Sequence, residues 1–330
     1  MLGVVLAGES RVELREFETP QPKAGEALVR LTVSAICGSE LHSYRSPKGS
    51  HGKIAGHEMV GEVVDANQTR HLKVGDRLAL QIMVGCGRCS YCLRGDYEHC
   101  AAMSYLMGGH AELIAAPEIC CMPLPDDMSW ELGVLLGGDT IGTTYRTLKR
   151  LGVTAFDTVA VLGCGPIGLG MLVLLRFLGA RVIAADISPY RRELAQKLGA
   201  WRVVNPSEGD LVGSVMDMTD GHGTDVSLDC SPSQATLTAA LDCVRKFGKV
   251  AFVGEKGDSV FHPSNHFIRK EITAIGSWYY SPSDYYGILE LHRRGLKVDD
   301  VVTHRFPLAQ ANEAFATFVS GESGKVLLVR

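Results

Sequence analysis

The sequence predicts an α/β protein in which a doubly wound parallel-sheet domain is inserted into a discontinuous β-rich domain. Three observations point there. The first 140 residues or so read as short strands separated by turn signals. From about residue 155, apolar strands alternate with helical stretches, the pattern of βαβ units around a parallel sheet. After Trp278 the chain closes on KVLLVR, which resembles the first part more than the middle.

Along the chain, MLGVVLAGESRVEL reads as a first strand; it has neither a basic n-region nor a small-residue cleavage site. ALVRLTVSAIC alternates, with Val29, Leu31, Val33 and Ala35 on one face. MVGEVVDA and RLALQIM are further strands, the second preceded by the turn signal Val74-Gly75-Asp76. Then come TVAVLG with the helix PIGLGMLVLLRFLGA, RVIAAD with SPYRRELAQKLGA, and DVSLDC with SQATLTAALDCVRKFG. VAFVGE and ITAIGSW complete the strands, and SDYYGILELHRRG is helix-like.

Length and composition bound the function. A chain of 330 residues favours two domains, and 46% hydrophobic with 21% charged residues suits a sizeable core. A net charge of −4 without blocks of like charge argues against nucleic acid or a membrane surface as partner. The uncharged run 159–175 is short for a membrane span and holds four glycines and a proline, so it reads as strand, turn and buried helix. Ten cysteines without a secretory leader imply a reducing cytoplasm, where clustered cysteines suggest metal rather than disulfides.

Gly163-Cys164-Gly165-Pro166-Ile167-Gly168 follows a strand and opens a helix, the context a dinucleotide fingerprint requires. Gly163 allows a tight turn, Gly165 lets backbone approach a pyrophosphate, and Gly168 permits close helix–strand packing. The helix N-terminus attracts phosphate. Asp186 ends the next strand, where a carboxylate accepts from an adenosine ribose and repels a 2′-phosphate, so NAD is favoured over NADP. Arg191 is placed to touch ribose or pyrophosphate. The structural alternative makes Asp186 a cap for SPYRREL.

Cys86, Cys89, Cys92 and Cys100 fall within fifteen positions. Cys37-Gly38-Ser39-Glu40-Leu41-His42 follows a strand, and Gly56-His57-Glu58 precedes one. Thiolate and imidazole are zinc's preferred ligands. Taken singly, Cys37 reads equally as a core cysteine, His57 as a core histidine and Ser39 as a helix cap.

Together, CGSELH, GHE, the four-cysteine stretch, GCGPIG and Asp186, in that order, resemble the zinc-containing medium-chain alcohol and polyol dehydrogenases over essentially the whole chain. The resemblance implies a GroES-like catalytic domain over 1–141 plus 280–330, a zinc lobe at about 85–101, and a Rossmann NAD domain over 142–279. It implies Cys37 and His57 as ligands of a catalytic zinc, with Glu58 behind the metal or as an occasional ligand. Ser39 and His42 match the proton relay, and the four clustered cysteines match a structural zinc whose closed thiolate shell leaves no open position. Gly163, Gly165, Pro166, Ile167, Gly168, Asp186 and Arg191 match the NAD site. The family's third ligand varies; aligning Thr143-Thr144-Tyr145 with its Thr-Gly-Tyr-like turn puts Asp139 there and Thr143 against the nicotinamide. Thr144 replaces a common glycine, and Gly138 stands where a one-residue shift would want a ligand.

The expected function is hydride transfer between NAD(H) and a secondary alcohol or ketone, with a lean toward polyols, sugars or cyclitols, in a homodimer or homotetramer. Ser46, Ser50, His51 and His110 are candidates to serve hydroxylated substrates. The alternatives are a zinc-free quinone or enone reductase of the same superfamily, which retention of both zinc sets opposes, and a catalytically idle NAD-binding protein.

Overall fold

Strict alternation makes the Glu26–Ala35 strand the centre of a sheet. Ala27, Val29, Leu31, Val33 and Ala35 are buried, while Arg30 between them is exposed. In the computed structural model, which describes residues 1–255 and 258–330, this strand pairs antiparallel with Glu58–Asp65, with Leu113–Pro117 and with Lys325–Val329. The seven-stranded sheet runs Val302–Pro307, Lys325–Val329, Glu26–Ala35, Glu58–Asp65, Arg77–Leu80, Cys121–Pro123, with Leu113–Pro117 off this path. One core of Val29, Leu31, Met59, Val63, Leu78 and Leu80 packs within it, and another joins Val4, Leu6, Ile36, Phe315, Val326 and Leu328. Register decides the site: Ala35 pairs with Glu58, so the chain leaving one strand at Cys37 lies beside the chain entering the next at His57.

RLALQIM is not one strand. Its ladder in the large sheet stops at Leu80, and Met83–Val84 pairs instead with Ser104–Tyr105 in a separate two-stranded sheet. Gln81 causes the break, because its side chain accepts from the Met83 N–H at 2.6 Å and donates to the Tyr280 carbonyl at 3.1 Å. The chain divides into two units: Met1–Gly142 with Tyr279–Gly295 and Val302–Arg330, and Thr143–Trp278 with Leu296–Val301.

The second unit is a six-stranded, fully parallel sheet. Its strands are Thr158–Leu162, Arg181–Ala185, Arg202–Val204, Thr224–Asp229, Val244–Phe252 and Thr273–Gly276. Counted one to six, they lie 3-2-1-4-5-6 across the sheet. The order reverses between the first and fourth strands, and the crevice at their C-terminal ends is where such sheets bind dinucleotides. The stretch SQATLTAALDCVRKFG is helical only over Gln234–Cys243; Val244 already belongs to the fifth strand. Buried Val244 pairs with Thr224, and after a register shift the ladder resumes at Val226 and Lys249. The extra residues are absorbed by Phe247, at a φ of 59°, and by Gly248, where a Cβ would lie 2.5 Å from the Val244 side chain.

The turn after the first strand is built by glycine. Gly163 has a φ of +97°, and a Cβ on Gly168 would lie 1.9 Å from the Gly163 carbonyl oxygen. Gly168→Ala should therefore destabilise the protein by about 3 kcal/mol, the upper range of overpacking. Urea unfolding measures this; an unchanged midpoint would mean that the turn tolerates a methyl group.

Candidate active site and metal centres

Four side chains converge where the two strands of the first unit meet. Cys37 Sγ donates to Asp139 Oδ2 at 3.3 Å, and His57 Nε2 lies 3.2 Å from the same oxygen. One ligand atom from each of Cys37, His57, Glu58 and Asp139 falls within 4.8 Å of the others. Cys37, His57 and Glu58 are buried. Asp139 is the first residue of the Asp139–Leu151 helix. Gly138 before it must lack a side chain: a Cβ there would lie 2.6 Å from Glu58 Oε2 and 2.5 Å from the Val134 carbonyl oxygen. The glycine at the shifted position thus leaves room for Glu58.

The donor set fits a divalent cation. Glu58 Oε2 is buried with no hydrogen-bond partner, while Oε1 is taken by the ammonium of Lys325, itself fully buried. Burial and the Asp139 carboxylate push the Cys37 thiol up. Burial opposes a charge on His57, yet Cys37 and Asp139 hold the imidazole well above its ordinary value. Two acids, a thiol and an imidazole crowded out of water are the groups that a metal satisfies at once.

Ser39 lies on the turn Gly38–Glu40 and His42 on the short helix Leu41–Arg45, both exposed. With His57 they line one pocket of about 430 Å³ in the first unit, which Ser46, Ser50 and His51 also line. Its volume suits a small-molecule ligand. His110 is not part of it. That ring is fully buried, with Nδ1 at 2.9 Å from Ser34 Oγ and Nε2 at 3.2 Å from Glu40 Oε1.

Glu40 and Lys325 were missed as site residues in the sequence. Glu40 accepts from the Cys37 N–H at 2.9 Å and from the Gly56 N–H at 3.0 Å, so one carboxylate ties both ligand-bearing turns together. The signal was an acid three positions after Cys37, but its partner His110 lies 70 residues on. Lys325 is a lone charge opening an apolar strand, which reads as an exposed strand end.

The four cysteines of the loop also converge. Cys89 and Cys92 sulfurs are 3.5 Å apart, and those of Cys86 and Cys92 are 3.9 Å apart. Tetrahedral zinc with bonds of about 2.3 Å sets its sulfurs about 3.8 Å apart, whereas a disulfide needs about 2.05 Å. Backbone N–H groups of Arg88 and Cys89 lower the Cys86 thiol to about 6, whereas burial pushes the Cys92 thiol up to about 12, so it is the spacing of the sulfurs that marks the site. Gly85 leaves space for the Cys92 sulfur, 2.7 Å from where its Cβ would be. The Ser281 hydroxyl, 3.0 Å from Asp96 and 3.0 Å from Glu98, fastens the lobe to the start of the Pro282–Arg293 helix.

In the second unit, Gly165 is the N-cap of the Pro166–Leu178 helix, which also carries Ile167 and Gly168. A Cβ on Gly165 would meet nothing within 4 Å, leaving open space at a helix N-terminus, where anions are favoured. Asp186 accepts from the Cys164 N–H at 2.7 Å and the Ser188 N–H at 2.8 Å. The cap of the following helix is Ser188, whose hydroxyl accepts from the Arg191 N–H at 3.2 Å, so Asp186 is not that cap. Arg192 folds onto the Asp186 and Ile187 carbonyls. Thr143 is buried on the Asp139–Leu151 helix, and its carbonyl accepts from the Thr147 hydroxyl at 2.7 Å.

Glu40→Gln tests the strap. Glutamine has one acceptor oxygen for two N–H groups, so stability should fall by about 1–3 kcal/mol at pH 7. Burial opposes ionisation of Glu40, but His110 outweighs it and holds the carboxyl down at about 2. A depressed carboxyl stabilises the fold above its ordinary pKa of 4.5 and loses that contribution as pH falls toward 2. The gap between wild type and variant in urea unfolding should therefore narrow in that window; a gap independent of pH would assign the loss to packing.

Comparison with known proteins accords with this geometry. Residues 23–126 match the alcohol dehydrogenase GroES-like domain, and residues 166–294 match the zinc-binding dehydrogenase domain. The chain is 34% identical to the uncharacterized zinc-type alcohol dehydrogenase-like protein YphC of Escherichia coli, over 99% of this chain and 98% of that one. It is 32% identical to L-threonine 3-dehydrogenase of Shewanella baltica, over 94% of each. The solved alcohol dehydrogenase TADH from Thermus sp. ATN1 superposes with a TM-score of 0.93 at 31% identity, covering all of both chains. Among the described residues, no helix is long and apolar enough to cross a membrane. The chain belongs to the zinc-containing medium-chain alcohol dehydrogenases, with zinc and NAD as cofactors and a secondary alcohol or ketone as the partner in hydride transfer.

Proposed function

We propose that the first unit is the catalytic domain and the second the NAD-binding domain of a dehydrogenase for hydroxylated secondary alcohols of the polyol, sugar or cyclitol class. The observation that carries this reading is the convergence of Cys37, His57 and Asp139 beside a pocket whose wall presents several hydroxyl groups. Cys37, His57 and Asp139 would hold the catalytic zinc. Glu58 stands behind it, tied to Lys325, and Cys86, Cys89, Cys92 and Cys100 would hold the structural zinc. When bound, zinc supplies Lewis acidity that lowers a hydroxyl's pKa, and NAD supplies the hydride acceptor.

The chain's own residues handle position and proton. Ser39 Oγ takes the substrate hydroxyl proton as it gives up its own, and His42, also exposed on the pocket wall, passes that proton toward water. Gly163, Gly165 and Gly168 make room for the pyrophosphate, while Asp186 and Arg191 face the adenosine ribose. Thr143 packs against the nicotinamide. All ten cysteines are free, which supports a cytoplasmic setting, and the family resemblance supports a homodimer or homotetramer.

Elemental analysis of protein expressed with zinc should find about two ions per chain. Asp139→Asn should weaken the catalytic ion under chelator challenge, and Asp139→Cys should retain more of it, because cysteine is a better zinc ligand. Asparagine retaining full zinc and activity would make Asp139 a structural residue and shift the third-ligand role to Glu58.

Cofactor choice is a separate readout. Wild type should give a higher kcat/KM with NAD than with NADP, and Asp186→Ser should narrow the ratio. Equal values in the wild type would mean that Arg191 or Arg192 governs the pocket. Thermal unfolding run alongside separates this effect from loosening of the turn that Asp186 holds.

A further inference from the structure

The lining of the pocket that holds the proposed relay also carries positive charge without an acidic partner among the described residues. From Leu41 to His57 the chain has no acidic residue, but it has Arg45, Lys48 and Lys53 in a protein of net charge −4. Lys48 and Lys53 both line the pocket that holds Ser39, His42 and His57. Both are exposed, and neither has a carboxylate within ion-pair distance among the described residues. The acid in that lining, Glu40, is buried and committed to His110 and to two backbone N–H groups.

These lysines stand on a fixed scaffold. The Ser50 N–H donates to the Leu6 carbonyl at 2.7 Å, and the Ser50 hydroxyl donates to the Lys53 carbonyl at 2.6 Å. Gly49, at a φ of +56°, packs so closely that a Cβ would lie 2.1 Å from the Leu6 carbonyl oxygen. A Cβ on Gly8 would lie 2.4 Å from the Ser46 carbonyl oxygen. The loop is thus held against the Leu2–Gly8 strand from both sides, and both lysines line the same small cavity as Ser39 and His42.

We propose that the substrate is an anionic hydroxy compound, a secondary alcohol whose chain ends in a carboxylate or phosphate. Lys48 and Lys53 receive the anion while the reacting hydroxyl lies at the Ser39, His42 and His57 end. This rests on the dehydrogenase reading and narrows its substrate class. A cleft with one sign of charge concentrates such ligands and orients them. Ser43 and Ser46 in the same lining suit further hydroxyl groups on the chain.

The test uses the full-length, zinc-loaded protein with NAD and three probes: D-glucitol, D-gluconate and D-glucitol 6-phosphate. At low salt, kcat/KM should be higher for at least one anionic probe than for D-glucitol, and salt should erode that preference. Which anion is preferred separates carboxylate from phosphate. Lys48→Gln and Lys53→Gln should each lower the anionic-to-neutral ratio about fivefold, the factor for one charge pair at 4 Å in water. Equal or better use of the neutral probe, a ratio that the lysine variants leave unchanged, or an effect on the KM for NAD instead, would overturn the proposal and leave the dehydrogenase reading standing. Calorimetry with the same probes covers the case of no turnover. Anion binding that is lost in the lysine variants would uphold the anion site while the proposed reaction fails; no anion binding would overturn it.

Discussion

The first unit depends on one buried charge balance. Glu58 and Lys325 are both fully buried and joined to each other, directly behind Cys37, His57 and Asp139. Burial works against a charged Lys325, but Glu58 outweighs it and holds the ammonium above its ordinary value. A buried ion pair is weak evidence for stability, because desolvation consumes much of the attraction. Its value here is electrostatic. The proposed ligands contribute a thiolate and one carboxylate against one divalent cation, and Glu58 behind them adds a second carboxylate. Lys325 brings that sum back to neutrality, so Glu58 can stand beside the metal without over-neutralising it. Its free Oε2 faces Gly138, where any side chain would displace it.

Backbone register brings these charges together. Cys37 just after one strand and His57 just before its antiparallel neighbour are set side by side by the register, and the Glu40 carboxylate clamps the N–H groups of Cys37 and Gly56. Asp139 comes from a helix start held by another route. The Tyr280 hydroxyl bonds the Gly137 carbonyl, and Gly142 has no Cβ because one would lie 2.1 Å from the Tyr280 ring. Two glycines, 138 and 142, therefore set where Asp139 points: one clears space for Glu58, the other for Tyr280. The remaining glycine of VLLGGDTIGTTY, Gly137, has a neighbour of its own: a Cβ there would lie 2.5 Å from the Ala79 Cβ.

Much of the architecture was legible because it follows from period and spacing. The alternation of 27–37, the strand-then-glycine context of 163–168 and the four cysteines each combine a local pattern with a known chemical demand. The errors share a cause. RLALQIM predicts a single strand because an apolar run does not reveal that Gln81 turns back onto its own chain. The helix 234–243 was extended to Gly248 because helix propensity does not register that Val244 is captured by a parallel neighbour. His110 was considered for substrate because an isolated histidine carries no sign of burial. Lys325 and Glu40 were missed because their partners lie far away in sequence, and a single sequence does not display long-range pairs.

Asp186 shows how the cofactor site is organised in advance. Its carboxylate oxygens accept from Cys164 and Ser188, so it fixes the turn that would carry the pyrophosphate and the entry to the next helix. Each carboxylate oxygen has two lone pairs, and only one on each is used this way. The remaining pairs are available to a ribose without breaking the existing bonds. In the proposed assignment Asp186 would both hold the turn and receive the ribose, sparing the ligand the cost of ordering the loop, which is how preorganisation raises affinity. It also explains why the helix-capping reading of Asp186 fell short. Ser188 already caps the helix, and its hydroxyl is in position because Asp186 holds its backbone.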